Sequence, residues 1–191
     1  MPDYRQSWPM PKQPLPIVIF GAGSIVSDAH LPAYKLYNLP VEGLYDPDYE
    51  KAKILGQKYN IKVFKNPAEA VANKDSIFDL AIPPSAHQKV LELIPKNSAV
   101  ILQKPMGSNL KEASDILTLC NEKSLNACVN FQLRFAPMMI ALKDIINKGL
   151  IGEIVDIDMW AALDTPWSLW KFLENLPRVE ILLHSIHYFD A

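Results

Sequence analysis

An α/β architecture is expected, a doubly wound parallel sheet followed by the start of an α+β second domain, and three observations predict it. Residues 17–20, IVIF, form an uninterrupted apolar run that stops on Gly21 and Gly23 and gives way to a helical stretch. Such a run suits a strand buried on both faces of a parallel sheet, not an alternating half-buried one. Between residues 16 and 130 six short apolar segments alternate with helical ones, the rhythm of strands joined by crossover helices. After Asn130 that rhythm stops. The 191 residues, 49% of them hydrophobic, suffice for one full domain and part of another.

The elements follow in order. Residues 1–15 carry prolines at 2, 9, 11 and 14, with another at 16, which favours an extended arm, a tail or a strap that cannot join a sheet interior. Strands are expected near 17–20, 41–45, 62–64, 78–82, 98–102 and 126–130. Helices are expected near 28–38, 48–59, 67–73, 85–94 and 109–123. Asn66-Pro67 and Ser108-Asn109 read as helix starts, each with an acid in the first turn, Glu69 and Glu112. These elements make residues 16–130 one Rossmann-type domain and leave 131–191 as part of another. In the latter, 131–137 reads as a connector, 138–148 as a helix closed by Gly149, and 153–160 as a half-buried strand by its alternation. A tryptophan-rich loop or short helix over 167–176 and a final segment over 179–191 complete the chain.

A strand, a glycine turn and a helix start bring backbone N–H groups and the helix dipole together on a pyrophosphate. Gly21 permits the sharp turn, and Gly23 removes a side chain that would block the phosphates; Ala22, Ser24 and Ile25 complete the loop. Val26 stands where a third glycine is usual, implying a wider helix approach or a shifted phosphate. Asp46 lies 23 residues past Gly23, at the tip of the second strand, where a carboxylate meets the adenosine ribose. Asp46 can also open the turn Asp46-Pro47-Asp48 and cap the next helix; the two roles coexist. An acid there repels a 2′-phosphate, so NAD is favoured, with NADP open because nearby basic residues can reverse the preference.

The formal charge of −2, with no basic cluster, argues against nucleic acid or an anionic membrane as partner and for a small-molecule ligand. Cys120 and Cys128 lack metal-ligand spacing and are expected to be buried, reduced thiols, so no metal is expected. With no apolar stretch of membrane-spanning length and no signal-peptide pattern, a cytoplasmic location is expected.

Four segments in fixed order, GAGSIV at 21–26, AIPPSAHQKVLEL at 81–93, QKPMGSNLKEA at 103–113 and ILLHSIHYFD at 181–190, resemble the Gfo/Idh/MocA family of oxidoreductases, named for glucose-fructose oxidoreductase, inositol dehydrogenase and rhizopine catabolism. The resemblance runs from about residue 16 to the last residue. It implies an NAD(P)-dependent oxidoreductase, a dehydrogenase acting on the CH–OH group of a sugar, cyclitol or related polyol, and a homo-oligomeric full-length protein. Gln103-Lys104-Pro105 matches a family Glu-Lys-Pro whose lysine lies near the nicotinamide and the substrate hydroxyl, and His187 matches the catalytic histidine. Lys104, expected at the carboxyl edge of the sheet after strand 98–102, polarises the substrate oxygen in this reading.

Pro83, Pro84 and His87 match the segment under the nicotinamide half; the double proline reads equally well as a strand stop. Arg134, in the match to the crossover between domains, pins that crossover or touches ligand. Trp160, Trp167 and Trp170 are better read as packing residues than as a sugar platform.

Two departures bear on activity. Gln103 replaces an acid, and Leu183 stands where many members carry aspartate four residues before the histidine, leaving His184 or Asp190 to serve as relay. The chain is also expected to lack most of the family's second domain. These features support an alternative, a catalytically inactive nucleotide-sensing or protein-interaction module on the same fold.

Overall fold

The computed structural model describes residues 4–160, 162, 181 and 185–191. They divide into two compact units, one Lys12–Asn130, the other Met1–Pro11 with Phe131–Ala191.

The first unit is built on β1 (Ile17–Phe20), β2 (Val41–Tyr45), β3 (Lys62–Val63), β4 (Ile77–Leu80), β5 (Ala99–Leu102) and β6 (Asn126–Val129). All pairings are parallel, in the order β3-β2-β1-β4-β5-β6. The chain steps outward twice from β1, the doubly wound topology, and the switch between β1 and β4 opens a crevice at their carboxyl ends. Around the sheet lie α1 (Leu31–Leu36), α2 (Tyr49–Tyr59), α3 (Pro67–Ala70), α4 (Pro84–Leu93) and α5 (Leu110–Glu122).

Alternation within β1 divides the core between two faces. Ile17 and Ile19 pack with Val26, Leu31, Ala52 and Leu55 from the α1 and α2 side. Val18 and Phe20 pack with Ala70, Leu91, Ile94 and Ile116 from the α3, α4 and α5 side. Every residue of β1 is buried, as its unbroken apolar run requires.

Side-chain caps start the helices where expected. Asn66 and Asn109 accept hydrogen bonds from the amides of Glu69 and Glu112. Those glutamates reach back to the amides of Lys65 and Ser108, satisfying otherwise orphaned donors reciprocally. At α2 the cap is Asp48, which accepts from Lys51 N; Asp46, expected to share that task, does not cap.

The helix after β1 begins earlier than expected and is irregular. Gly23 O accepts from the amides of Val26 and Ser27, and Val26–His30 form a π-helical turn in which Leu31 N reaches Val26 O. Pro32 follows at once; it lacks an N–H and its ring crowds the carbonyl four residues back, so a regular ladder cannot pass through this point. Among the thiols, Cys120 is buried, but Cys128, expected to be buried, is exposed because it lies on the edge strand β6.

In the second unit a 3₁₀ turn, Gln132–Phe135, precedes α6 (Pro137–Asn147), and α7 (Ile186–Asp190) lies near the end of the chain. The arm is a strap here. Trp8 meets Phe135 edge to face at 5.7 Å, Arg5 stacks on Trp8, and Arg5 N donates to Asp144 Oδ2. The strand expected over 153–160 does not form: these residues are exposed and irregular, with Val155 and Trp160 about nine-tenths accessible. Their alternation specifies a strand only beside a partner to pair with, and among the described residues no strand pairs with them. The loop 167–176, Trp167, Trp170, Leu183 and His184 lie outside the described residues.

Candidate functional site

The strand ends that the topology brings together carry most of the expected residues. Gly21 leaves β1 with φ +108°, and a Cβ on it would stand 2.4 Å from Ala81 O, so only glycine fits between β1 and the segment after β4. Gly21 N donates to Tyr45 O at 2.8 Å, holding the turn on the end of β2. At Gly23 the opposite holds, for a Cβ there would meet nothing within 4 Å. The space beside Gly23 is therefore unfilled by protein at the start of a helix, where amides lack intrahelical acceptors. Ser24 and Ile25 are exposed at that same start, whereas Ala22 is buried.

Val26, at the position of the absent third glycine, is fully buried in the α1–α2 face of the core, and the π-helical turn begins on it. The larger side chain is accommodated in a helix whose first turns are not regularly wound.

Asp46 braces the glycine turn. Its Oδ2 accepts from Ala22 N at 2.8 Å and its Oδ1 from Asp48 N at 2.9 Å. Each carboxylate oxygen retains further acceptor capacity. The group is thus held in one orientation at the tip of β2.

Pro83 and Pro84 end the chain segment after β4 and start α4, with Pro84 at the first turn, where a missing N–H costs nothing. His87, expected beneath the nicotinamide half, has no exposed surface. Its Nδ1 lies 3.0 Å from Met106 O, and burial pushes its pKa below the usual histidine value. A neutral ring donating to that carbonyl ties α4 to the 103–107 turn, so in this structure His87 supports the turn from inside.

Lys104 directly follows β5 and Gln103, joined to Pro105 by a cis peptide. Its amide donates to Gln103 Oε1 at 2.8 Å, and burial pushes its ammonium below the ordinary lysine pKa. Gly21–Ile25, Asp46, Pro83–Pro84 and Lys104 thus follow β1, β2, β4 and β5, four adjacent strands, at their carboxyl ends. These residues fit a dinucleotide: open space beside Gly23 at a helix start, a fixed carboxylate for ribose hydroxyls, and a cation beyond them.

His187 belongs to the second unit. It is buried on α7, with Phe131 edge to face at 5.9 Å. Arg134 forks onto Asp190, its Nε 2.9 Å and its Nη2 2.6 Å from the carboxylate oxygens. The guanidinium holds the Asp190 carboxyl below the usual carboxylate range. Arg134 therefore pins α7 to the segment after Asn130, and Asp190, considered as a relay, is committed to that pair.

Sequence reasoning missed Asp79 and His30, both buried. The signal was an acid inside the apolar run 77–82, because a buried carboxylate demands a hydrogen-bonding partner. Among the described residues no cluster of His, Cys, Asp or Glu could hold a metal, and no helix is long and apolar enough to cross a membrane.

Comparison with known proteins gives a consistent result. Residues 15–131 match the Gfo/Idh/MocA family model, described as an oxidoreductase family with an NAD-binding Rossmann fold. Glucose-6-phosphate 3-dehydrogenase of Bacillus subtilis is 29% identical over 143 residues, covering 74% of this chain and 40% of that protein. A dehydrogenase (MviM) from Clostridium difficile superposes with a TM-score of 0.57 at 26% identity, covering 71% of this chain and 44% of that one. A super-repressor mutant of Gal80p from Saccharomyces cerevisiae shares the fold, with a TM-score of 0.64 at 19% identity over 74% of this chain and 40% of that one. The chain thus spans less than half the length of these relatives. With a family match over more than half its residues and the glycine turn and Gln-Lys-Pro turn at the same edge of the sheet, the chain belongs to the Gfo/Idh/MocA oxidoreductase family.

Proposed function

We propose that this protein binds NAD, with NADP as the second candidate, and acts in hydride transfer between that cofactor and the hydroxyl-bearing carbon of a sugar, cyclitol or related polyol. The observation that carries the reading is the gathering of the Gly21–Ile25 loop, Asp46, Pro83–Pro84 and Lys104 at the ends of four adjacent strands. The similarity to a sugar-phosphate dehydrogenase supports the substrate class.

The nicotinamide supplies the carbon that takes or gives the hydride. The protein's own groups bind, orient and move a proton. Gly23 leaves room for the diphosphate at the helix start, and Asp46, ordered by the Ala22 and Asp48 amides, accepts from the ribose hydroxyls. Pro83, accessible at the start of α4 with Pro84 buried behind it, offers a rigid apolar surface to a planar ring. Lys104 Nζ donates to the substrate oxygen; a partly desolvated ammonium interacts strongly with the negative charge that develops as the hydroxyl proton leaves. An imidazole nitrogen of His187 takes that proton in the oxidative direction and returns it in the reductive one.

In this reading the ligand is a small molecule and the full-length protein a cytoplasmic homo-oligomer, with neither nucleic acid nor membrane as partner. A second reading, a nucleotide-sensing or interaction module without turnover, is favoured by Gln103 in place of the family's acid. Calorimetry with NADH followed by a hydride-transfer screen across polyols separates the two. Turnover that Lys104→Ala abolishes, with NADH affinity kept within about threefold, supports the enzyme; binding without turnover selects the module. Loss of NADH binding and turnover together in Lys104→Ala assigns the lysine a structural role.

A further inference from the structure

Beneath the Gln103–Lys104 turn runs a buried row of polar groups that the proposed chemistry does not use. Asp79, in the middle of β4, is fully buried; its Oδ2 lies 2.7 Å from His30 Nδ1 and accepts from the Tyr34 hydroxyl at 2.8 Å. On the other side of the ring, His30 Nε2 faces Gln103 Nε2 at 3.5 Å. Gln103 is itself held at side chain and backbone, its Oε1 accepting from Lys104 N and its backbone N–H donating to Leu80 O.

Elementary donor and acceptor rules assign every proton in the row. A backbone N–H can only donate, so the atom of Gln103 facing Lys104 N is its oxygen, and the amino group faces the imidazole. An amino group can only donate, so His30 Nε2 bears no proton and the ring proton sits on Nδ1, directed at the Asp79 carboxylate. A glutamate at 103 would instead set lone pairs against the bare Nε2. Glutamine at this position, where the family carries an acid, therefore belongs with His30 and Asp79 as one set. The π-helical turn ends on His30, and such turns recur where a helix must aim a side chain at a functional site.

We propose that His30 is a positioning residue for the Gln103–Lys104–Pro105 turn: anchored by Asp79, its Nε2 fixes the Gln103 carboxamide in the orientation that holds the Lys104 main chain. The proposal rests on the reading of that turn as the ligand-facing edge. The 3.5 Å link between Gln103 and His30 is the longest in the row, and the experiment addresses it.

Imidazole-nitrogen NMR on the full ¹⁵N-labelled chain, with His30 assigned by the loss of its signals in His30→Phe, reads the ring directly. The expected result is a ring protonated on Nδ1 alone, which takes a second proton in Gln103→Glu. A proton on Nε2 in the parent, or a ring that Gln103→Glu leaves unchanged, overturns the proposal. In His30→Phe the exchange rate of the Lys104 amide should rise about tenfold, the effect of about 1.4 kcal/mol, while Val100 in β5 keeps its protection. Equal loss at both amides means a merely structural role and also overturns it. NADH calorimetry on the same parent sample separates this proposal from the functional reading. NADH bound to a protein with the wrong ring form sinks the positioning role alone; the expected ring form without NADH binding sinks the cofactor reading alone.

Discussion

Asp46 Oδ2 accepts a hydrogen bond from Ala22 N at 2.8 Å, so the acid at the tip of β2 and the glycine turn after β1 are one construction. The same carboxylate also receives Asp48 N. Truncation in Asp46→Ala should therefore cost about 1–2 kcal/mol in urea unfolding, since two amides lose their acceptor, and weaken NADH binding about tenfold or more. In Asp46→Asn the charge is lost and only one of the two acceptor oxygens survives, so part of that stability cost remains and the preference for NADH over NADPH should fall about tenfold in paired calorimetric titrations. An unchanged cofactor preference would mean that the acid serves the turn alone.

The two glycines of the turn should separate stability from binding. For Gly21→Ala, a Cβ 2.4 Å from Ala81 O at φ +108° predicts a loss of about 2 kcal/mol or more, seen as a lower urea midpoint. For Gly23→Ala nothing in the protein stands in the way, so the midpoint should hold while the dissociation constant for NADH rises about tenfold. Equal destabilisation by the two would contradict the open space at Gly23.

Burial lowers the pKa of Lys104 beneath its ordinary value of 10.5. Such a lysine binds fewer protons in the folded than in the unfolded chain, so its contribution to stability rises with pH between the lowered value and the ordinary one. Lys104→Met removes the cost of desolvating the charge. It should raise Tm by about 2 °C at pH 7, with the gain shrinking as the pH climbs through that window, followed by thermal scans at stepped pH. A gain independent of pH would point to better apolar packing instead.

Asp190 titrates in the other sense. Its carboxyl, held low by Arg134, contributes stability above the ordinary carboxylate value that is lost as pH falls through the depressed one. Because Arg134 is half exposed, Arg134→Met should cost only about 0.5 kcal/mol overall. The effect should concentrate locally, as faster exchange of the Ala191 amide, which donates to His187 O. Acidification should reproduce it in the parent and add little in the variant.

Much of the first unit was legible because local chemistry decides it. Asn66 and Asn109 announce helices by their own hydrogen bonds, and the unbroken apolar run of β1 requires two covered faces. Gly21 and Lys104 lie at strand ends for the same local reasons. Tertiary context governs what was not legible. The alternation of 153–160 needs a neighbouring strand to become one, and Cys128 is exposed because β6 is an edge. His87, expected beneath the nicotinamide half, is turned inward to Met106 O, a partner that only the folded chain brings beside it. The row from Asp79 to Gln103 joins three segments distant in sequence, and only the lone acid of β4 hints at it.

The irregular winding at Val26–His30 also gives the chain some tolerance in length. Leu31 N reaches Val26 O across five residues, so removing one residue from this stretch, Ala29 for instance, would turn the same bond into an ordinary four-residue one and leave the positions on either side facing as before. A one-residue deletion inside the regular ladder of α5 has no such slack and would rotate every later position by about 100°. Deletion of the exposed Ala29 should therefore be better tolerated than a deletion in the middle of α5.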